Sequence, residues 1–105
     1  MSSKITYYFI YKTTCIITNR YYIGMHVTRN IDDQYLGSGT RLKRSIIKHG
    51  KENHNREILE FCDSKKSLAL RESEIVNLDL LNDPLCMNLK QGGEGGGFEL
   101  FDSEN

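Results

Sequence analysis

Two short runs rich in aromatic and β-branched residues constrain the fold of this chain more than any other feature. The runs are 6–13 (TYYFIYKT) and 21–26 (YYIGMH), and Thr18-Asn19 supplies a turn signal between them. Such residues favour strands, so the pattern predicts an antiparallel hairpin. Gly24 interrupts the second run, which predicts either a bulge or a close approach of another group to the backbone.

The rest of the chain alternates helix and strand signals. Ser38 is expected to cap a helix over about 39–49, and a third strand follows over 54–61. A longer helix is predicted over about 65–81, ended by Asn82-Asp83-Pro84. The order β-β-α-β-α predicts the α+β class, with an antiparallel three-stranded sheet flanked by helices.

The length of 105 residues allows one small domain. We expect a folded domain over 1–92 and a flexible, glycine-rich tail over 93–105. Three cysteines without a CxxC pair exclude a full disulfide framework and a four-cysteine zinc site, which fits a reducing compartment. The chain has no run of 18 apolar residues and no signal-peptide pattern, so we expect a soluble, cytoplasmic protein with no membrane partner.

The zero net charge conceals a strong asymmetry between the two halves of the chain. Residues 1–56 carry ten basic and three acidic residues, whereas residues 57–105 carry four basic and eleven acidic residues. A dipolar chain of this kind can present a basic face to a phosphate backbone. Alternatively, the charges coat two solvated surfaces.

Glu72 is the first residue that local rules do not explain. On the predicted 65–81 helix it shares a face with Leu68, Ile75 and Val76. A carboxylate within an apolar stripe needs a cation, a metal or a hydrogen-bond network. The alternative is a glutamate at the edge of the stripe, or one paired with an arginine.

The two halves of the hairpin also carry a family resemblance. Phe9-Ile10-Tyr11, followed after ten residues by Tyr22-Ile23-Gly24, resembles the paired signature of the GIY-YIG nuclease superfamily. A helix with an inward glutamate and an asparagine-bearing segment extend the resemblance over about residues 6–92. The stretch 26–39, which contains DDQYLGSG, is similar to free-standing phage and viral members, and the superfamily includes homing endonucleases.

The resemblance implies a role for each matched position. Tyr11 and Tyr22 match the two active-site tyrosines, Glu72 the metal-binding carboxylate, and Asn88 the asparagine that supports the site. Gly24 matches the glycine that lets the backbone pack near the site. Taken singly, the tyrosines could also be half-buried hairpin residues and the asparagine a loop cap.

The sequence departs from the family pattern at two places. The first signature begins with phenylalanine rather than glycine, and Asp32 stands where members usually carry an arginine. By resemblance to the phage-type members, we expect His26 and Lys43 to fill the gap, with Arg29 and Arg41 as substitutes. Taken alone, His26 and Lys43 could both be surface residues.

The resemblance implies a DNA endonuclease that hydrolyses phosphodiester bonds. One Mg²⁺ or Mn²⁺ ion on Glu72 would neutralise developing charge, Tyr22 would activate water, and Tyr11 would position it. The implied partners are double-stranded DNA and either a dimer partner or a separate DNA-recognition region, in the host-cell cytoplasm if the protein is viral. The residues expected to hold DNA are Arg20, Arg29, Arg41, Arg44 and Lys48.

Two alternative functions remain open on the sequence. The first is a catalytically weakened GIY-YIG-fold module that binds DNA or a partner. The second is a phosphate-binding structural domain without a nucleic-acid role.

Overall fold

A computed structural model describes residues 5–92 of the chain. Its strands are β1 (Tyr7–Cys15), β2 (Tyr21–Thr28) and β3 (His54–Cys62), and its helices are α1 (Thr40–His49), α2 (Lys65–Ile75) and α3 (Leu78–Leu81). The three strands form one antiparallel sheet in the order β2-β1-β3. The predicted α+β architecture is confirmed, and the predicted tail over 93–105 lies outside the described residues.

The predicted hairpin is formed by β1 and β2, with Tyr7 opposite Thr28. Asn19 turns the chain with a positive φ of 64°, a conformation that asparagine tolerates better than most residues. The backbone N–H of Asn19 donates to the carbonyl of Cys15 at 2.8 Å, which closes the turn. This register places Gly24 directly opposite Tyr11.

The two faces of the sheet pack against different helices. On one face, Ile10, Tyr21 and Ile23 form a core with Leu68 of α2 and Val76. Alternation along β1 sends Phe9, Tyr11 and Thr13 to the other face, where all three are buried. Leu42 of α1 is fully buried and reaches the Gly37 backbone next to Tyr11.

Three local predictions differ from the observed backbone. The predicted 65–81 helix is two helices, because Asn77 accepts a hydrogen bond from the backbone N–H of Leu80 and so starts α3. Gly39 rather than Ser38 precedes α1, and no side chain caps that helix. The irregularity in strand pairing lies between Ile10 and Tyr11, where β1 pairs with β3, so Gly24 does not form a bulge. Instead, the Tyr11 phenol approaches the backbone closely at Gly24.

A short segment after α3 extends the sheet beyond β2. The backbone N–H of Tyr21 donates to Leu85 at 2.9 Å, and that of Met87 donates to Tyr21 at 2.7 Å, which makes a parallel bridge. The segment fixes residue 88 beside the second strand. Within residues 5–92, no helix is long and apolar enough to cross a membrane.

Candidate active site

A cleft of about 950 Å³ opens beside the second strand. Because β2 is an outer strand of the three-stranded sheet and the segment after α3 bridges it at Tyr21, groups from both faces can meet beside the rest of the strand. The cleft brings together four of the predicted site residues, and its described lining includes Tyr11, Tyr22, Glu72, Asn88, Tyr35, Ser38, Gly39, Thr40 and Lys90.

The two signature tyrosines lie side by side in the cleft. Their ring centroids are 6.3 Å apart, and Tyr11 is 1% exposed. Two glycines make room for them, because a Cβ on Gly24 would lie 2.6 Å from the Tyr11 hydroxyl oxygen and one on Gly39 would overlap the Tyr22 ring. The glycine of the second signature therefore allows the Tyr11 phenol to pass over the β2 backbone.

Burial and neighbouring groups disfavour ionisation of both phenols. Burial raises the pKa of Tyr11 well above its ordinary value, and the nearby Tyr35, Tyr22 and Glu72 add to the increase. Burial likewise raises the pKa of Tyr22, helped by the Glu72 carboxylate, whereas a hydrogen bond with Ser38 acts in the opposite direction. Both phenols are therefore neutral hydrogen-bond donors at neutral pH.

Glu72 reaches the cleft from the last turn of α2. The side chain is half-buried, and its charge acts on both Tyr11 and Tyr22. Gly92 packs against it so closely that a Cβ there would lie 2.7 Å from the Glu72 Cγ. The predicted apolar stripe on the helix therefore places the Glu72 carboxylate next to Tyr11 and Tyr22.

Asn88 is a buried support of the second strand. Its side-chain oxygen accepts from the Ile23 N–H at 2.9 Å, and its side-chain nitrogen donates to the Ile23 carbonyl at 2.7 Å. Asn88 is 8% exposed and lies at the margin of the cleft. The two bonds fix the backbone between Tyr22 and Gly24.

His26 lies behind the cleft rather than on its described lining. Its ring stacks on Tyr35 at 4.0 Å between centroids, and its Nε2 is 2.7 Å from the Asp33 carboxylate. Asp33 also accepts from Arg56 at 3.1 Å. Although burial raises the pKa of Asp33, hydrogen bonds from His26, Tyr35 and Arg56 outweigh it and hold that pKa well below its usual range.

The predicted basic residues lie outside the described lining of the cleft, and all are exposed. Lys43 is one of them, and it lies on a different side of α1 from Arg41, Arg44 and Lys48. Those three have i, i+3, i+7 spacing and therefore form a stripe along the helix. Thr40, the first residue of α1, lines the cleft, so the stripe leads away from it. Arg20 and Arg29 flank the second strand.

The donor chemistry of the cleft fits a hard cation. Within the described part of the chain, no group of three or more histidine, cysteine or acidic side chains is placed to hold a metal. When one carboxylate binds the ion, most of its coordination positions are left to water and phosphate oxygens, which is how Mg²⁺ is commonly held. Glu72 is the residue that could hold such an ion.

The sequence did not predict Tyr35, Ser38, Lys90 or Arg56 as site residues. A lone tyrosine within the polar DDQYLGSG stretch was a usable signal for Tyr35. Arg56 gave no local signal, because the groups it contacts, from Ile31 to Tyr35, lie 21 to 25 positions away in sequence.

Comparisons with known proteins agree with this geometry. The model of the GIY-YIG catalytic domain matches residues 7–82. Two Enterobacteria phage T4 proteins are similar to the chain over 90 residues: "Putative endonuclease segB" at 51% identity and "Endonuclease segA" at 44% identity. Each match covers 86% of this chain but 41% of the relative, so the chain spans about two fifths of their length. No solved structure matches the chain significantly.

Proposed function

The chain belongs to the GIY-YIG family of catalytic domains, and from that membership we propose that it is a divalent-metal-dependent DNA endonuclease. The observation that carries the proposal is the convergence of Tyr11, Tyr22 and Glu72 on one cleft. The names of the phage relatives, which give them as endonucleases, support the same activity.

The reaction we propose is hydrolysis of a DNA phosphodiester. A water oxygen bonds to phosphorus, the bond from phosphorus to the 3′-oxygen breaks, and the leaving oxygen takes up a proton. The products are a 3′-hydroxyl and a 5′-phosphate. Negative charge builds on the phosphoryl oxygens and on the leaving oxygen, so the cleft has to stabilise it.

Glu72 is the residue we assign to the metal. The ion, Mg²⁺ or Mn²⁺, would supply positive charge that stabilises the phosphoryl and leaving oxygens. The half-buried carboxylate beside two neutral phenols supports this assignment, because the oxygen donors of the cleft suit hard cations.

Tyr22 and Tyr11 handle the water and the phosphate in this proposal. Tyr22 lies beside the Glu72 carboxylate and Ser38, and we assign to it the attacking water. The phenol can take the proton of that water only as a phenolate, a form that a cation bound at Glu72 would favour. Tyr11 is more deeply buried and is fixed against Gly24, so it orients its neighbours by hydrogen bonding.

Double-stranded DNA is the substrate we propose, held by the basic stripe of α1 and by Arg20 and Arg29. Such contacts position a duplex without specifying its sequence. Because the chain spans about two fifths of its relatives, we further propose that a separate recognition region or a second protomer supplies specificity. The phage source of the relatives supports action in the host-cell cytoplasm.

One observation favours the weakened binding module as a second candidate. Lys90 is the sole basic residue on the described lining of the cleft, and Asp32 occupies the place of the usual arginine. A module of this kind would bind DNA with strong salt dependence and would leave it uncut.

Cleavage of supercoiled plasmid in Mg²⁺, Mn²⁺ or EDTA tests the proposal. We expect metal-dependent nicking that falls at least about 100-fold in Glu72→Gln, because the variant keeps the shape but loses the charge. Glu74→Gln on the same helix is the matched control, since Glu74 is exposed and pairs with Arg71. If plasmid stays intact at every metal concentration while DNA binding persists, the binding module is the correct description.

A further inference from the structure

Tyr35 belongs to neither half of the tyrosine signature, yet it lines the same cleft. Its backbone is anchored on both sides of the residue. The N–H donates to the Asp33 carboxylate at 3.0 Å, and the carbonyl accepts from Arg56 at 2.9 Å. A loop residue held in this way has a defined position before any ligand arrives.

The Tyr35 ring is also fixed by its neighbours. It stacks on His26 with an angle of 12° between the planes, and it meets the Tyr11 ring edge-on at 5.9 Å. Asp33 is hydrogen-bonded to His26, so the Tyr35 ring stacks on a side chain that is itself held in position. These contacts place the third phenol next to the two signature tyrosines.

The Tyr35 phenol lies close enough to Tyr11 to affect its ionisation. Burial is the largest cause of the raised pKa of Tyr11, and Tyr35 is the next. A tyrosine hydroxyl can donate one hydrogen bond, and Tyr35 lines the open cleft, where a ligand can accept it.

Arg56 does not serve as the missing phosphate-binding arginine. Its side chain is 12% exposed, and its guanidinium is engaged by Asp33, the Tyr35 carbonyl and the Ile31 carbonyl. It also lies over the Phe9 ring, 5.1 Å from the centroid. Arg56 is therefore a positioning residue for the loop that carries Tyr35.

We propose that Tyr35 is a third catalytic tyrosine, whose hydroxyl donates a hydrogen bond to a non-bridging oxygen of the phosphate in the cleft. The proposal rests on the proposed nuclease function and names a further group that contacts its substrate. Hydroxyl side chains are common donors to phosphate oxygens. A donor fixed in advance stabilises developing charge without reorganising during the reaction.

Tyr35→Phe is the direct test, because it removes the hydroxyl and keeps the ring that stacks on His26. We expect kcat for plasmid nicking to fall about 10- to 100-fold, with KM for DNA nearly unchanged. Tyr7→Phe is the matched control, since Tyr7 contacts Phe61 and is absent from the described lining of the cleft. Wild-type kcat in Tyr35→Phe would overturn the proposal.

A sulfur substitution in the substrate separates contact from a merely structural role. Once the nicked bond is mapped, each non-bridging oxygen at that bond is replaced by sulfur, a weaker hydrogen-bond acceptor. We expect one diastereomer to slow the wild-type enzyme and to have a several-fold smaller effect on Tyr35→Phe, because the donor is already missing. An equal sulfur effect in both proteins would overturn the proposal. Failure of the wild type to cut any DNA would instead refute the underlying nuclease function.

Discussion

At the scale of single residues, Gly24 determines how close the second strand comes to the Tyr11 phenol. We predict that Gly24→Ala displaces this phenol, because the added methyl would lie 2.6 Å from its oxygen and 2.8 Å from its Cζ. Tyr11 is buried and has little space to move. The free energy of unfolding should fall by about 1–3 kcal/mol, and cleavage should fall about 10-fold or more.

Urea denaturation and plasmid nicking measure both effects of Gly24→Ala. Val27→Ala on the same strand is the control, because Val27 is exposed. Full activity in Gly24→Ala would mean that the position of the Tyr11 phenol does not matter for cleavage.

Asp33 makes the free energy of unfolding depend on pH, and the lowered pKa of its carboxyl fixes the direction of that dependence. Its carboxylate is stabilised by His26, Tyr35 and Arg56, so its folded-state pKa lies below the unfolded value of about 4. The stabilisation is therefore present above about pH 4 and is lost as the pH falls through the folded-state pKa. We predict that Asp33→Asn lowers the free energy of unfolding by about 1–3 kcal/mol at pH 7.

Urea denaturation of wild type and Asp33→Asn at pH 7 and pH 3 checks this linkage. The difference in unfolding free energy between the two proteins should shrink at the lower pH. Asp32→Asn, at an exposed neighbour, is the control. A difference that is the same at both pH values would show that the Asp33 charge is not the stabilising feature.

At the scale of secondary structure elements, Asn88 joins the segment after α3 to the second strand. Removing its amide leaves the Ile23 N–H and carbonyl buried without their partners. Each such group costs about 1–3 kcal/mol, so we predict that Asn88→Ala lowers the unfolding free energy by about 2–4 kcal/mol. Asn82→Ala is the control at an exposed asparagine, and an equal loss in both variants would argue against the clamp.

The elements themselves were largely predictable from local sequence. Alternating aromatic and β-branched residues predicted the hairpin, and the register then brought Gly24 opposite Tyr11. The break of the long helix was missed because hydrophobic spacing continues through it. The Asn77 side chain caps a new helix there, a local competition that periodicity does not detect.

The loop between β2 and α1 was not predictable in the same way. Its position depends on Arg56, a residue of β3 that contacts it only after the sheet has formed. Patterns in local sequence do not reveal a hydrogen bond between residues that are 21 or more positions apart. For the same reason, the sequence identified the signature tyrosines but not the phenol of Tyr35 beside them.

At the scale of the whole molecule, the charge split found in the sequence corresponds to an exposed basic stripe on α1. We predict that Arg41→Gln combined with Arg44→Gln weakens DNA binding and reduces the slope of log affinity against log salt by about 2, one for each lost phosphate contact. Lys65→Gln combined with Lys66→Gln on α2 is the matched control. Fluorescence anisotropy across a salt series, without divalent metal, measures the slope, and equal slopes for both double variants would exclude the α1 stripe as the DNA contact.

We propose above all that Glu72 binds the metal of a DNA-cleaving site. Plasmid nicking by Glu72→Cys in Mg²⁺ and in Cd²⁺ tests it most directly, because a thiolate binds soft ions far better than Mg²⁺. We predict that the variant is inactive in Mg²⁺ and regains nicking in Cd²⁺, whereas Glu74→Cys behaves like the wild type in both. Wild-type nicking by Glu72→Cys in Mg²⁺, or a wild-type chain that cuts no DNA with any metal, would contradict the claim.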